Sequence, residues 1–520
     1  MKKGSRLYII GAGFAGRTLA KEIKTKSVFG IVVAFLDDDP EKIGTKIDGI
    51  PVLGPIRDVA RLLRKKSADE AIIAIPSASR EYLAELYNVL KTAGFRRIRI
   101  LPGISQIIKG NAHLIQTRSI DPQDLLGRTP AVIDLKESLA YLRGKRVLVT
   151  GAGGSIGSEL CRQLLSGGAS RLYLLGHGEN SIYVIDRELR LLQEEGVGEK
   201  ATIIPVIGDL KNRDYMFYIL ERLKADVIFH TAAYKHVPMM EENPVAAIEN
   251  NFFGTKNLVD AAKACGVKRF VYITTDKAVD PVSVYGASKN LGEKLVLSAA
   301  NCSRENNFMV VRFGNVLGSR GSIMLLFQKQ IEKGGPVTVT HPDMKRWFMT
   351  IPEACYLVLK AGGVGENSGL YLLDMGEPVL IRDLAEQMIR FYGFEPDRDI
   401  KIEYTGTRPG ERLGERLWAD DEEPVPTGFN RILKIQNSVS KTVHKPEYDL
   451  DMLIEQLSSF VHFDPAHKEK YRNNELLVGF LQKVLPSLEK TYPWLKYAEP
   501  AMCSSSESKD SRQKIKTLVL

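Results

Sequence analysis

The sequence predicts an α/β protein made of two tandem doubly wound parallel sheets, the second carrying a small extra lobe. Three observations predict it. A strand, glycine-rich turn and helix open at Arg6 and again at Arg146. After each opening, short apolar runs alternate with amphipathic stretches, as in a parallel sheet covered by helices. The 520 residues also suffice for at least two units that each bury a core.

In the first unit, residues 6–10 form a strand leading into Gly11-Ala12-Gly13-Phe14-Ala15-Gly16. Residues 31–36 read as its second strand, ending at Asp37; 69–76 read as a later strand and its exit, and 97–102 as the last. Breaker pairs at Asp121-Pro122, Gly127-Arg128 and Thr129-Pro130 mark a connection. The expected division is therefore a first unit at 1–120, a linker at 121–143, a second unit at 144–445 and a helical extension at 446–520. Strands of the second unit are expected at 171–175, 202–207, 226–230, 269–274 and 308–313. After Asp343 the alternation weakens, which predicts a smaller substrate-covering lobe. Residues 474–488 read as a helix, and the polar tail at 503–516 is expected to be partly disordered.

Composition is that of an ordinary soluble protein, 44% hydrophobic and 26% charged, with a net charge of +9. A basic surface suits nucleic acid, anionic lipid or a diphosphate ligand. No zinc-type or RNA-binding motif and no long basic run accompany it, so no nucleic-acid partner is expected. Cys161, Cys265, Cys302, Cys355 and Cys503 are scattered and form no CxxC pair. That fits a reducing cytosol, without disulfides or a structural metal. No apolar run approaches the roughly 18 residues that span a bilayer, and Met1 to Ser5 do not form a signal peptide. The expectation is a cytoplasmic chain with no membrane span, associating with a membrane at most peripherally.

The second glycine motif is Thr150-Gly151-Ala152-Gly153-Gly154-Ser155-Ile156-Gly157. Glycines here let the backbone approach a pyrophosphate at a helix N-terminus. Residues Gly151, Gly154, Ser155, Ile156 and Gly157 are thus candidates for a nicotinamide dinucleotide. The acid usual at the end of the next strand is replaced by Gly176, followed by Glu179, Asn180 and Ser181. NAD and NADP both stay open. Asp209 and Leu210 are candidates for the adenine side, and Ala232 and Ala233 lie at a further strand exit.

Thr274-Thr275-Asp276-Lys277 is followed by Tyr285 and Lys289, spaced i, i+4 and so on one face of a helix. An ammonium beside a phenol favours the phenolate, which can take a proton from a sugar hydroxyl. These residues, with His230-Thr231-Ala232-Ala233-Tyr234-Lys235-His236, Asn250-Asn251, Arg312-Phe313-Gly314-Asn315 and Thr407-Arg408-Pro409-Gly410-Glu411, resemble the nucleotide-sugar 4,6-dehydratases of polysaccharide and glycan biosynthesis. These are extended short-chain dehydrogenases/reductases with a Rossmann-like fold. The resemblance covers roughly 120–440, and the first unit resembles the domain preceding the dehydratase in long members, which usually also carry membrane helices.

The resemblance implies an NAD(P)-dependent lyase acting on a UDP-N-acetylhexosamine, most simply UDP-N-acetylglucosamine, and a homo-oligomer. It implies Asp276 as the acid for the C6 oxygen and Lys277 as the C5 base. Asp276 must then carry a proton and Lys277 must lack one, which a close ion pair between them would oppose. Their side chains are therefore expected to diverge around the sugar. Tyr285, where some members carry Met, leans towards inversion at C5, whereas the long architecture leans towards retention. A 4-epimerase on the same fold is the alternative; it would need Tyr285 and Lys289 but not Asp276 and Lys277. A non-catalytic nucleotide-binding scaffold is the other.

Lys235 and His236, after the fourth strand, are candidates for the substrate side, together with Asn250, Asn315, Arg320, Arg346, Arg408 and Glu411. Arginine offers a fork for diphosphate, and a carboxylate accepts ribose hydroxyls. In the first unit, Gly11, Gly13, Gly16 and Asp37 match a dinucleotide fingerprint. They carry a second nucleotide-type ligand or keep the turn for folding alone.

Overall fold

The computed structural model describes residues 6–26, 31–62, 70–75, 80–95, 97–100, 139–198, 200–301, 306–392, 394–437 and 449–490. Most of the expected linker and all of the polar tail at 503–516 lie outside the described residues.

The first sheet contains β1 (Arg6–Ile10), β2 (Ile31–Leu36), β3 (Lys46–Ile47), β4 (Ile50–Leu53), β5 (Glu70–Ile73) and β6 (Arg97–Ile100). Their order is β3-β4-β2-β1-β5-β6, parallel except for the β3–β4 hairpin. Side chains alternate between faces with period two. Tyr8, Ile10, Leu36 and Ile73 enter one core with Leu86 and Leu90 of helix Arg80–Thr92. Leu7, Ile9, Phe35 and Ile72 enter the other with Leu19 and Ile23 of helix Phe14–Lys26. Helices on both faces are what a doubly wound sheet requires.

The second sheet begins with β7 (Arg146–Thr150), β8 (Arg171–Gly176), β9 (Thr202–Ile207), β10 (Val227–His230), β11 (Arg269–Thr275) and β12 (Asn307–Phe313). Each lies within a residue of its expected place. The later strands are β13 (Asn315–Leu317), β14 (Val337–Val339), β15 (Lys345–Arg346), β16 (Phe348–Thr350), β17 (Leu370–Leu373), β18 (Val379–Leu380), β19 (Ile402–Tyr404), β20 (Glu422–Pro426) and β21 (Ile432–Asn437). The nine-stranded order is β20-β21-β17-β12-β11-β10-β7-β8-β9. The chain runs out to β9 and returns to β10 on the other side of β7, so the strand order reverses there. Ligands bind at such a switch point, beyond the carboxyl ends of the strands.

The weakening expected after Asp343 is only half of what happens. Leu317, Phe327, Val339, Phe348, Leu384 and Met388 do form a separate core with helices Ile323–Glu332 and Ile381–Phe391. But β17 returns to the main sheet in parallel with β12, and β21 and β20 extend it antiparallel. The edge strand β20 carries Pro424 and Pro426, which an edge tolerates but which hide a strand in the sequence.

The C-terminal extension holds two helices, Leu450–Val461 and Asn474–Val484. The second stops before Pro486, short of the expected 488, and a tight turn follows. Leu453, Leu457, Leu477 and Leu481 pack with Phe252, Val284, Leu291 and Leu295. The extension thus buttresses helix Val284–Asn301, which carries Tyr285 and Lys289. No helix among the described residues is long and apolar enough to cross a membrane.

That same helix is tied to the sheet by a buried charge cluster. Arg312 on β12 is 2% exposed and lies 2.8 Å from both Glu293 Oε2 and Glu422 Oε2. Removing the cation leaves two carboxylates with too little compensation. Arg312→Met is expected to cost about 3–5 kcal/mol, measured as the change in unfolding free energy in urea; a loss under about 1 kcal/mol would mean the carboxylates are easily hydrated or neutralised.

Candidate active site

Gly151 follows β7 with φ +66°, a conformation that disfavours any side chain. A Cβ on Gly157 would overlap the Gly151 carbonyl oxygen, and one on Gly153 would lie 2.7 Å from Ser181 Cβ. The turn is packed backbone to backbone and opens into helix Ser155–Ser166, whose start no side chain caps. Helix Glu179–Glu194 also starts here, directly after β8, again uncapped by a side chain. Two helix starts with free N–H groups beside a glycine turn suit a dinucleotide's diphosphate and ribose. Gly157→Ala is expected to lose about 1–3 kcal/mol of stability, visible in thermal unfolding; an unchanged transition would mean the turn relaxes freely.

Deeper in, His230 bridges Thr150 Oγ1 at 2.7 Å and Thr255 Oγ1 at 2.9 Å. Burial, then the charge of Lys289, lower its pKa well below the usual imidazole value, so the ring is a neutral structural link. Thr255 belongs to a helix entered through a π-turn, Ile248–Phe253. Such turns insert a residue and re-aim side chains. Asn250 and Asn251 both point inward: Asn251 accepts from Tyr234 N and donates to Ser288 Oγ, while Asn250 donates to Asn251. Asn250, expected at the substrate, is instead a buried support. Asn251, which the spacing did not single out, ties the loop after β10 to the Tyr285 helix.

Thr275 ends β11, and Asp276–Ala278 form one tight turn. Thr275 Oγ1 donates to Asp276 Oδ1 at 2.9 Å. Burial, followed by the Asp276 charge, raises the Tyr285 pKa above the ordinary phenol value, while Thr275 lowers it. Lys289 donates to Ile273 O at 2.8 Å and lies 4.0 Å over the Tyr272 ring. Burial pushes its pKa down to about 7, against an opposing pull from Glu293. The protein alone thus favours the neutral phenol and brings the Lys289 amine into the range where it loses its proton near neutral pH. Shifting one proton from Tyr285 to Lys289 would give phenolate and ammonium with no change in proton count.

The expected divergence of Asp276 and Lys277 is corrected by the structure. Lys277 Nζ lies 3.1 Å from Asp276 Oδ1 and 3.1 Å from Asn315 Oδ1. Adjacent positions in one tight turn put both side chains on the same side, and the amine's donors find acceptors there. Asp276 is fully buried, and its Oδ2 has no hydrogen-bond partner among the described residues. It faces Gly314, where a Cβ would lie 3.0 Å away. Glu415 Oε1 stands 3.6 Å from Lys277 Nζ. Glu415 and its neighbour Arg412 were not singled out in the sequence; they follow the Thr407–Glu411 motif, and no local spacing links them to β11.

Other candidates are placed as follows. Lys235 donates to Arg320 O, Arg320 N–H donates to Ser155 Oγ, and the Arg320 guanidinium donates to Gly153 O. His236 covers Gly321. Arg320, expected on the substrate diphosphate, is thus on the glycine turn, and this loop bridges the two halves of the cleft. Arg346 is buried and donates to the carbonyls of Lys345, Arg412 and Leu413; it holds the loop rather than facing a ligand. Arg408 is exposed and shares a turn with Glu411. Asp209 forms a turn with Lys211, and Leu210 O accepts from Asn257.

In the first unit, Gly11 has φ +98° and Gly16 leaves no room for a Cβ. Asp37 does not stand free: Oδ2 accepts from Ala12 N at 2.6 Å and Oδ1 from Asp39 N at 2.9 Å. Gly13 opens to solvent and Phe14 beside it is 74% exposed.

A parallel sheet with a glycine turn at its switch point and a Thr-Asp-Lys, Tyr, Lys set two strands away defines a short-chain dehydrogenase/reductase-type enzyme of nucleotide sugars. The family described as polysaccharide biosynthesis protein matches residues 147–437, and the chain belongs to it. A CoA-binding domain matches residues 2–102. The chain is 44% identical to the probable polysaccharide biosynthesis protein EpsC of Bacillus subtilis over 429 residues, 82% of this chain and 71% of that one. It is 41% identical to the capsular polysaccharide biosynthesis protein CapD of Staphylococcus aureus over 451 residues, 86% and 74% of the two chains. At lower identity two reaction names occur. A UDP-N-acetylglucosamine 4,6-dehydratase (inverting) of Campylobacter jejuni is 29% identical over 317 residues, 60% of this chain and 89% of that one. A UDP-glucose 4-epimerase of Rickettsia bellii is 31% identical over 288 residues, 54% and 79%. Among solved structures, Pen from Bacillus thuringiensis aligns with a TM-score of 0.51 at 31% identity, over 61% of this chain and 99% of that one.

Proposed function

We propose that the protein is an NAD(P)-dependent 4,6-dehydratase of a UDP-N-acetylhexosamine, most simply UDP-N-acetylglucosamine, serving surface polysaccharide or glycan biosynthesis. The observation that carries the reading is the buried acid–amine pair, Asp276 and Lys277, beside Tyr285 and Lys289. A 4-epimerase needs only the latter two. The dehydratase name on a relative supports it.

The glycine turn and the starts of helices Ser155–Ser166 and Glu179–Glu194 would hold the cofactor, with Asp209 and Ala232 beside it. When bound, its nicotinamide supplies the acceptor and later the donor of one hydride. Tyr285 takes the proton from the C4 hydroxyl, with Lys289 favouring the phenolate. The C4 ketone acidifies C5, whose proton Lys277 takes. Asp276 protonates the departing C6 oxygen, and water leaves. A C6 methyl and a C5 proton complete the 4-keto-6-deoxy sugar. Lys277 returns a proton to C5 as the hydride reaches C6, which restores the base, and the proton left on Tyr285 offsets the one that Asp276 gave to the departing water. Asn315, Lys235, His236, Arg408 and Glu411 remain for the substrate, and the first unit's open turn at Gly13 for a second nucleotide-type ligand.

The test is proton NMR of UDP-N-acetylglucosamine with the protein and either cofactor in D2O. A C6 methyl signal, a C4 ketone or its hydrate, and deuterium at C5 are expected, and coupling constants give the C5 configuration. Conversion to UDP-N-acetylgalactosamine would replace the reading with an epimerase.

A further inference from the structure

Lys277 is held from three sides, and the third side is Glu415. As an amine cation its nitrogen has three donor hydrogens. Asp276 Oδ1 and Asn315 Oδ1 take two directions at 3.1 Å each, and Glu415 Oε1 lies 3.6 Å away in addition. The Glu415 side chain is 4% exposed, so it is not a surface charge that happens to be near. Its backbone is fixed, because Trp347 Nε1 donates to Glu415 O at 2.8 Å. Arg412 Nε stands 2.8 Å from Glu415 Oε2, close for charge attraction though not aligned as a hydrogen bond. The Arg412 guanidinium also donates to Val279 O and Asp280 O, immediately after the reactive turn. The loop bearing Glu415 is therefore pinned to the chain bearing Asp276 and Lys277.

We infer that Glu415 is a positioning residue for the elimination half of the reaction, acting through Lys277. It gives the amine an acceptor other than Asp276, so that Lys277 can stay in place once Asp276 has turned to the C6 oxygen. It also stabilises the cation formed when Lys277 takes the C5 proton. Glu415 reaches Tyr285 only through its charge, which, after burial and the Asp276 charge, raises the Tyr285 pKa; removing it eases phenolate formation, so C4 oxidation is not slowed. The inference rests on the dehydratase reading.

The test compares wild type, Glu415→Gln and Glu415→Ala with UDP-N-acetylglucosamine in D2O. Reduced nicotinamide is followed in a single turnover, product and C5 deuterium by NMR, and folding by thermal unfolding. Gln keeps an acceptor in nearly the same volume; Ala removes it. Glu415→Ala is expected to lower kcat about 100-fold with little change in KM, while reduced nicotinamide forms at the wild-type rate and persists. Glu415→Gln is expected to recover most of the loss. Ala turning over like wild type, Gln failing as badly as Ala, or both half-reactions falling together would each overturn the role. A wild-type protein that never makes the 4-keto-6-deoxy sugar would overturn the dehydratase reading itself, and the inference with it.

Discussion

Asp276→Asn is expected to stop dehydration while leaving C4 oxidation intact. Asparagine fills the same buried space but has no proton to give the C6 oxygen. General acid catalysis of this kind contributes about 10²–10⁴-fold, and turnover should fall by that factor. Substrate should still reduce the bound nicotinamide, because Tyr285 and Lys289 are untouched, and the reduced form should accumulate instead of passing its hydride on. The measurement is a single-turnover absorbance trace beside an NMR assay for the C6 methyl. If the absorbance change disappears with the product, Asp276 is only shaping the site. If product forms normally, another group supplies the proton, and the acid–amine pair no longer separates a dehydratase from an epimerase.

The second large effect is on stability and has the opposite sign to its effect on activity. Lys289 is 4% exposed, and burial pushes its pKa down to about 7. An unfolded lysine titrates near 10.4. Between these values the unfolded chain holds a proton that the folded chain has lost, so folding is opposed. The penalty is absent above about pH 10.4, grows as pH falls, and is complete once pH has fallen through about 7. Lys289→Met should therefore be inactive yet more stable near pH 7. The pH-dependent part of the gain is about 4 kcal/mol at most and should vanish towards pH 10. Urea unfolding of both proteins across that range gives the difference directly. A gain that does not change with pH would mean that packing alone is responsible and that Lys289 titrates normally.

How much of this was visible in the sequence depends on how local each signal was. The glycine turns at 11–16 and 151–157 and the strands from β7 to β12 were readable, because period, glycine spacing and strand-ending residues lie within a few positions of one another. Tyr285 and Lys289 lie four residues apart on helix Val284–Asn301, and that shared helix followed from spacing. The contact between Asp276 and Lys277 was misjudged. The chemistry their roles demand argues for separation, but a tight turn and two further acceptors, Asn315 and Glu415, bring them together. Neither acceptor is near them in sequence. Glu415 is 138 positions beyond Lys277, in a loop without periodicity. Arg346 and Arg320 looked like anion forks by residue type, yet one is occupied by loop carbonyls and the other by the glycine turn. Type and position cannot reveal which partner wins an arginine. Helix Leu450–Val461 falls in the expected helical extension without having been placed there individually, and strands β20 and β21 were missed, being prolines and charges on a sheet edge.

The Arg312 cluster sets where this enzyme can be cut. Its cation sits on a central strand, one carboxylate on the catalytic helix, and the other, Glu422, on the outermost strand. A fragment ending after the small lobe but before Glu422 would contain every residue assigned to the chemistry. It would also strip the buried Arg312 guanidinium of the two hydrogen bonds that Glu422 accepts, directly beneath the helix that presents Tyr285 and Lys289. A fully hydrogen-bonded guanidinium at that depth belongs to the complete nine-stranded sheet. The minimal catalytic piece therefore has to extend through Asn437, well past the last residue that touches the reacting sugar in the proposed mechanism.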